Sequence, residues 1–470
     1  MTITQYYADL PQNLYQLISP EPISSPELLV FNKELEEQLC LPLEFQKKDA
    51  EFLAGNKQVE HCKPLALGYT GHQFGQLNAQ LGDGRAHLLG QVFDSSNAFF
   101  DLQLKGSGRT RYSRGGDGRS TLKAALREYI VSEYVHKLNI PTSRSLYVIK
   151  SSDKIMRDEL VDSGIVCRVA KTHLRIGSFQ FAAMHQDKHT IKALADFAIK
   201  HYYPNCLQSN TPYLALFETV LKKSSDLVAH WMSEGFIHGV MNTDNILISG
   251  ETIDFGPCAF MGKYDPVQCF SSIDRQGRYA YQNQPGIMHW NLARFAESLI
   301  SLVDEDENKS IELLSASLNQ FKALYDSSYT QRMALKLGLN LDNTEDNTFQ
   351  IQSLLTILKS SDWQYTSVFS FLHSLASEEK QYHPIESTHW YENWLETRHI
   401  TWKQSVINNN KASYLSNSDI ETLLDECVEN PHNSERLIAS YFDELNRASS
   451  SLLSKNQLDF DKGYKTFCGT

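Results

Sequence analysis

The chain has 470 residues, of which 41% are hydrophobic and 21% charged, with 22 Tyr and 23 Phe. This composition fits a packed protein of about two to four domains, or two large lobes, and excludes disordered, collagen-like and coiled-coil chains. A balance of 44 basic against 56 acidic residues gives a net charge of −12, which argues against a nucleic-acid binder but leaves room for a local phosphate site.

Residues 1–60 read as an irregular and helical extension that packs on the lobes. Residues 61–195 read as a sheet-rich lobe with glycine-rich loops. In it, Leu77–Leu81 and Ala86–Val92 flank Gly82-Asp83-Gly84-Arg85, the pattern of a tight hairpin turn. Phe99–Lys105 (FFDLQLK) alternates apolar and polar residues as a strand does. A glycine-rich loop, Gly106–Arg119 (GSGRTRYSRGGDGR), then runs into a helix. Its residues Leu122, Ala125, Leu126, Tyr129, Ile130 and Leu138 recur at helical spacing, Ser120 is the expected N-cap, and Pro141 ends it. Leu146–Ile149 and Ile165–Val169 predict further strands. From about residue 190 the pattern is mostly helical, so residues 196–470 read as a helical lobe with a tail. Ile311, Leu314, Leu318, Phe321 and Tyr325 are spaced 3-4-3-4, and Ile351, Leu354, Leu355 and Leu358 share one helix face. The exception is a short strand pair, Ile246–Ile248 and Thr252–Ile253, joined by Ser249-Gly250. The expected fold class is α+β, a small sheet-rich lobe followed by a larger helical one.

No run of about 18 apolar residues exists, so no helix is expected to cross a membrane. Met1–Leu10 (MTITQYYADL) has no basic segment followed by an apolar core, so no secretory signal is expected. The eight cysteines (Cys40, Cys62, Cys167, Cys206, Cys258, Cys269, Cys427 and Cys468) are scattered without a CxxC pair, which gives little support to a zinc site. A cytoplasmic, mostly reduced monomer is the expectation.

The segment His238–Gly256 (HGVMNTDNILISGETIDFG) carries the chemistry. Asp244 and Asn245 precede a short apolar run, and Asp254-Phe255-Gly256 closes it. Two oxygen donors on adjacent loops, Asn245 and Asp254, suit Mg²⁺ or Mn²⁺, with phosphate and water completing the shell. Protein kinases hold metal the same way, on the catalytic-loop Asn and the DFG Asp. One departure matters: aligned on His238 and Asn245, the kinase loop H-R-D-x-x-x-x-N places Val240 where the proton-accepting Asp would stand. Valine accepts no proton, so Asp244 is the nearest replacement base.

Lys105 ends a predicted strand as the strand lysine of a kinase does, and Glu128, 23 residues later on the helix, is its expected partner. The window Gln103–Arg119 holds Lys105, Arg109, Arg111, Arg114 and Arg119 against Asp117 alone. Glycines between the cations let backbone N–H groups approach an anion, and Asp117-Gly118 lies where the loop meets a helix N-terminus. A triphosphate explains this better than a nucleic acid. Gly82, Gly84 and Arg85 form a second glycine turn that can cover phosphates. Arg168 and Arg175, in CRVAKTHLRIGS, can clamp them.

These segments resemble the selenoprotein O family of protein adenylyltransferases. The resemblance lies in LALGYTGHQFGQLNAQLGDGRAHLLGQV, DLQLKGSGRTRYSRGGDGRSTLKAALREYIVSEYV, GIVCRVAKTHLRIGSFQ and HGVMNTDNILISGETIDFGPCAFM. It is dense over residues 61–300 and fades beyond about residue 400, apart from Phe467-Cys468-Gly469-Thr470. It implies a protein-kinase-like two-lobed fold that binds ATP flipped and transfers AMP to Ser, Thr or Tyr hydroxyls of protein substrates. It implies Lys105 and Glu128 as the strand–helix pair, and Gly82, Gly84, Arg85, Asp117, Gly118, Arg168 and Arg175 as nucleotide contacts. Asn245 and Asp254 are the implied metal ligands and Asp244 the implied proton acceptor. Animal members carry selenocysteine near this end, which suggests a redox position at Cys468, with Cys269 as the expected partner and Cys258 and Cys427 as competitors. The residues themselves also admit a kinase-like phosphotransferase on a small molecule, UMP transfer from UTP, and a non-catalytic nucleotide-binding pseudokinase.

Overall fold

The computed structural model describes residues 3–57, 63–184, 188–379, 381–445 and 457–467. β-branched and aromatic runs in the first third build one antiparallel sheet. Its strands are β1 (Tyr15–Leu17), β2 (Glu27–Phe31), β3 (Leu65–Leu67), β6 (Ala86–Phe93), β7 (Phe99–Lys105), β8 (Ser120–Thr121), β9 (Arg144–Met156) and β10 (Leu160–Ala170), in the order β1-β3-β6-β7-β10-β9-β2, with β8 on β10. A separate hairpin, β4 (Gly71–Gln73) and β5 (Gln76–Asn78), stands off the sheet.

Both faces of the sheet are covered, which follows from the alternation of side chains along its strands. Ile165, Cys167 and Val169 of β10 join Leu102, Leu104 and Tyr147 in one cluster. Phe31, Leu35, Leu39, Phe45 and Leu53 complete it, largely from three short helices, α1 (Lys33–Gln38), α2 (Leu43–Gln46) and α3 (Ala50–Leu53). Val148 and Val166 point the other way, into the main core with Leu122, Leu126 and Ile130 of α4 (Leu122–Lys137). The extension before residue 60 thus does more than pack on the sheet. It supplies both edge strands, β1 against β3 and β2 against β9.

The rest is helical: α5 (Ile176–Met184), α6 (Lys188–Tyr202), α7 (Pro212–Glu234), α8 (Gln284–Val303), α9 (Glu307–Leu318), α10 (Phe321–Leu337), α11 (Thr344–Ser360), α12 (Tyr365–Ala376), α13 (His389–Thr397), α14 (Trp402–Asn409), α15 (Asn417–Glu429), α16 (Ser434–Leu445) and α17 (Gln457–Gly463). Two-residue strands β11 (Phe236–Ile237) and β12 (Ala259–Phe260) pair beside the loop that holds Asp244. The molecule is a kinase-like α+β fold, a sheet lobe on a helical one.

Four local expectations need correction. Leu77–Leu81 does not pair with β6 across Gly82–Arg85; β5 pairs with β4, while Leu81 N and Asp83 N donate to Tyr69 O and Leu67 O. Ser120 is not the N-cap of α4. Thr121 is, its hydroxyl accepting from Ala124 N at 3.1 Å, since the helix begins at Leu122 and the cap is the residue just before it. Ile246–Ile248 and Thr252–Ile253 do not pair with each other; Leu247 bridges to Arg175 and Thr252 to Thr142. The stripe from Ile311 to Tyr325 is two helices, broken at Asn319-Gln320, and Ile311 lies exposed.

The tail returns to the middle of the molecule. Thr466 bridges to Ser271, two residues from Cys269, whose thiol contacts Asp274 and is pushed up by burial to about 11. The expected partner, Cys468, lies outside the described residues. Asp461 of α17 accepts from Asn417 Nδ2 at 2.9 Å, and burial raises its carboxyl to about 6. A carboxyl raised on folding favours the folded form most when protonated, so the docking of α17 weakens as pH rises through about 4 to 6. Asp461→Asn is expected to tighten this docking at pH 7, read as slower limited proteolysis around α17. Unchanged cleavage rates would show that the Asp461 charge does not matter there.

Candidate active site

The site forms where β7, β10, α4 and the segment after Asn245 converge. β7 ends at Lys105, whose Nζ donates to Glu128 Oε2 of α4 at 2.5 Å and to Asp254 Oδ1 at 2.7 Å. Arg168 of β10 donates to both carboxylates, through Nε to Glu128 and through Nη2 to Asp254. All but Asp254 are nearly fully buried. Burial opposes the charge on Glu128 and Asp254, but Arg168 and Lys105 outweigh it. They hold Glu128 below, and Asp254 well below, the ordinary carboxylate range. Burial, helped by the charge on Arg168, lowers Lys105. Arg168 is therefore no surface salt bridge, and Lys105 and Glu128 are not two solvated charges.

Asp254 has φ of +65°, a left-handed conformation that costs a non-glycine residue about 1–3 kcal/mol and persists only where surroundings enforce it. Arg175 stands just before α5 with its guanidinium 4.4 Å over the Tyr69 ring. Its Nη1 donates to Asp244 O at 2.9 Å, and Nη2 lies 3.5 Å from Asp83 Oδ1. Asp244 is 9% exposed, its Oδ1 has no hydrogen-bond partner, and burial pushes its carboxyl up to about 6. Asn245 Nδ2 donates to Val240 O at 2.9 Å, so its carbonyl oxygen is the group it can offer a cation. Val240 is buried among apolar side chains.

Above these residues lies a cleft of about 510 Å³, a fitting size for a nucleotide. Eight cations line it (Arg85, Lys105, Arg109, Arg114, Arg119, Arg157, Arg168 and Arg175) against four carboxylates (Asp83, Asp117, Asp244 and Asp254). In a chain of net charge −12, this is a local concentration of positive charge. Its roof is the glycine-rich loop, folded on itself by the Ser107–Arg119 bridge and by Gly108 N donating to Gly118 O at 3.0 Å. Gly118 has φ of +68°, and a Cβ there would sit 2.2 Å from Gly108 backbone atoms. Gly82 packs under the Tyr112 ring, where a Cβ would come within 2.4 Å. The Gly82–Arg85 turn is thus a fixed wall of the cleft. Asp117 is engaged by Arg157, at 2.7 and 3.1 Å, and by Arg119 N. Arg119 reaches back to the carbonyls of Glu21 and Pro22. The residues expected to form the site line this cleft except Glu128, which lies behind Lys105, and Arg111, which turns away to Asn13 O and the Tyr112 ring.

A sequence model described as "Protein adenylyltransferase SelO" matches residues 1–456. The chain belongs to the SelO family. It is 45% identical over 480 residues to protein nucleotidyltransferase YdiU of Anoxybacillus flavithermus, covering 99% of this chain and 98% of the relative. The YdiU proteins of Agrobacterium fabrum (40% identical, all of both chains) and Alcanivorax borkumensis (46% identical, 83% of this chain, 80% of the relative) are similar too. Family membership makes the chain a nucleotidyltransferase, with ATP the substrate that suits an adenylyltransferase. The match also runs well past residue 400, further than the sequence motifs carried it.

Sequence reasoning missed one brace. Arg127, next to Glu128 on α4, donates through Nε to Phe255 O and Gly256 O and through Nη2 to Cys258 O, at 3.2, 3.1 and 2.8 Å. Its Nη1 holds Glu421 of α15 at 2.8 Å, which also accepts from Tyr464 of the tail at 2.8 Å. Thr466 Oγ1 donates to Pro257 O at 2.6 Å. The backbone around Asp254-Phe255-Gly256 is thereby tied to a part of the chain nearly 170 residues downstream. The only signal in the sequence was a cation beside Glu128. Arg127→Met leaves those carbonyls and Glu421 short of a donor, so it is expected to cost about 3 kcal/mol of stability in urea denaturation. A loss under about 1 kcal/mol would sink the brace.

Proposed function

We propose that this SelO-family chain transfers AMP from ATP to the hydroxyl of a Ser, Thr or Tyr on an acceptor protein, with ATP bound so that its α-phosphate faces the acceptor. The observation that carries the reading is the pair Val240 and Asp244. The position of the kinase base holds a buried valine, while Asp244, whose buried Oδ1 has no hydrogen-bond partner, lines the cleft beside Asn245.

The geometry supports the following roles. Lys105, fixed by Glu128, and Arg168 and Arg175 offer positive charge to the polyphosphate. Gly82, Gly84, Arg85, Asp117 and Gly118 shape the cleft around it. Asp254 and Asn245 offer one carboxylate and one amide oxygen, a donor set that fits Mg²⁺ or Mn²⁺ once phosphate oxygens and water add to it. Among the described residues no cluster of three His, Cys, Asp or Glu side chains offers a self-sufficient metal site, which agrees with a cation that arrives with nucleotide. Such a cation neutralises charge developing on the phosphates. The acceptor oxygen attacks Pα, its proton passes to Asp244, and the bond from Pα to the pyrophosphate oxygen breaks with the electron pair leaving on pyrophosphate. The lobes divide near residue 195, with residues 1–60 as an integral extension of the first. A monomer in the cytoplasm suits these roles, and no helix of the described residues is long and apolar enough to cross a membrane.

The test is ATP labelled at either the α- or the γ-phosphate, incubated with the protein, Mg²⁺ or Mn²⁺ and acceptor proteins. Covalent label from the α position alone is expected; label from γ alone refutes the reading. Asp254→Ala is expected to lower transfer by about 10³-fold, because several kcal/mol of charge compensation at the phosphates go with the carboxylate. Activity within tenfold of the parent would remove Asp254 from the metal site. Val240→Asp is expected to give no protein kinase, since the wrong phosphorus would still face the acceptor. Efficient γ-phosphate transfer by that variant would count against a flipped nucleotide.

A further inference from the structure

A second groove, of about 720 Å³, lies on the other side of the β4–β5 hairpin from the nucleotide cleft. The hairpin is the shared wall, since Gln73 lines the cleft while Phe74 and Gln76 line the groove. It is held rigidly to the catalytic loop. His72 N donates to Thr243 Oγ1 at 2.9 Å, and Phe74 N donates to Tyr279 OH at 3.1 Å, which itself donates to Asn242 Oδ1 at 2.5 Å. Phe74 forms the turn with φ of +53°, an uncommon conformation for a bulky residue. Its ring lies 5.2 Å from that of Tyr279 and is more than a third exposed.

The charge in the groove is one-sided. Arg275 and Arg278 line it, and its one carboxylate, Asp274, already accepts from Arg278 N and Tyr279 N at 3.0 and 2.7 Å and contacts the Cys269 thiol. Arg278 is held over the Trp290 ring at 5.1 Å, and its Nε is a buried donor with no partner. The exposed Ile273 supplies an apolar floor beside these cations.

We propose that this groove docks the acceptor polypeptide and selects segments in which the acceptor hydroxyl is flanked by acidic residues. The inference rests on the transferase reading of the neighbouring cleft. Charge complementarity favours this occupant, at the wall between the two cavities. A chain bound against Arg275 and Arg278 reaches the Asp244 side of the cleft by passing the hairpin, and acidic side chains would meet the donors there that protein carboxylates leave unused.

Two measurements on the full chain separate this inference from the reading beneath it. The first is fluorescence anisotropy with a fluorescein-labelled peptide, a serine flanked by glutamates, against the same peptide flanked by lysines. The glutamate peptide is expected to bind at least tenfold tighter, and Arg275→Glu is expected to reverse the order. Arg275 is exposed, so this variant should fold; the half-buried Arg278→Glu is the second. The readout is the ratio of the two affinities, which partial loss of folded protein does not move. Equal binding of both peptides, or a ratio that neither variant shifts, overturns the groove. The second measurement is transfer of α-label to the same peptides, expected to favour the glutamate peptide through KM. Acid-selective binding with no α-label on any acceptor overturns the transferase reading, and with it the acceptor role of the groove. Transfer without selective binding overturns the groove alone.

Discussion

Two cations and two carboxylates share one buried place at the junction of the lobes. Lys105 and Arg168 come from the sheet, Glu128 from α4, and Asp254 from the loop below. None can be buried alone, because an uncompensated charge in such a place costs several kcal/mol. The cluster therefore sets the positions of three elements at once. β7 and β10 must pair in the register that puts Lys105 opposite Val166 and Arg168 opposite Gln103. α4 must turn Glu128 inward, and the backbone at Asp254 must accept a left-handed conformation. A nucleotide site that depends on charge geometry is thereby placed by the same contacts that join the lobes.

A second buried network fixes the segment between β10 and α5. Asp101 of β7 is fully buried, and its carboxylate accepts from Tyr7 OH and Gln91 Nε2, each at 2.9 Å, and from His173 N at 2.7 Å. Tyr7 OH also contacts Thr172 and, at 3.0 Å, Tyr202 at the end of α6. A buried carboxylate is tolerable only when its oxygens are satisfied in this way. The N-terminal extension, the sheet, the β10–α5 connection and the end of α6 meet in it. Two residues beyond His173, Arg175 carries that rigidity to Tyr69, Asp83 and the backbone of Asp244.

Local signals were legible in the sequence where local physics decides. The Phe99–Lys105 strand has the expected limits because its alternation is strict. The α4 helix was clear from its apolar spacing, although Ser120 and Thr121 are both good caps and only the start of the helix, at Leu122, selects between them. Most charged residues of the site were nameable as residue types at motif spacings, and of those named all but Glu128 and Arg111 line the cleft, whereas Arg157 carried no motif. What could not be read was long-range pairing. β1 and β2 are short and depend on partners some 50 and 120 residues away. Ile246–Ile253 has strand character, yet its bridges go to Arg175 and Thr142 because the tight turn at Gly250 leaves the two halves facing other neighbours. The Arg127 brace was hidden because its partners are carbonyls and a glutamate 294 residues distant.

The replacement of the kinase base has a steric counterpart on the opposite wall. With Val240 turned into the core, the carboxylate at this end of the cleft is Asp244, which lies four residues further along the loop. That shift needs space, and two glycines give it. A Cβ on Gly71 of β4 would stand 2.2 Å from Asp244 Oδ1, and one on Gly177 of α5 would press on Thr70 O at 2.1 Å and reach the Asp244 Cα at 3.5 Å. Asp244 is thus boxed between the hairpin and α5, with Arg175 holding its carbonyl from a third side. The side chain is held in place by its neighbours, so in the proposed role of proton acceptor it would need little reorganisation. The hairpin that makes this room at Gly71 carries Phe74 at its tip over the second groove. One short β-ribbon therefore stands between Asp244, the proposed proton acceptor, and the groove proposed for the acceptor chain.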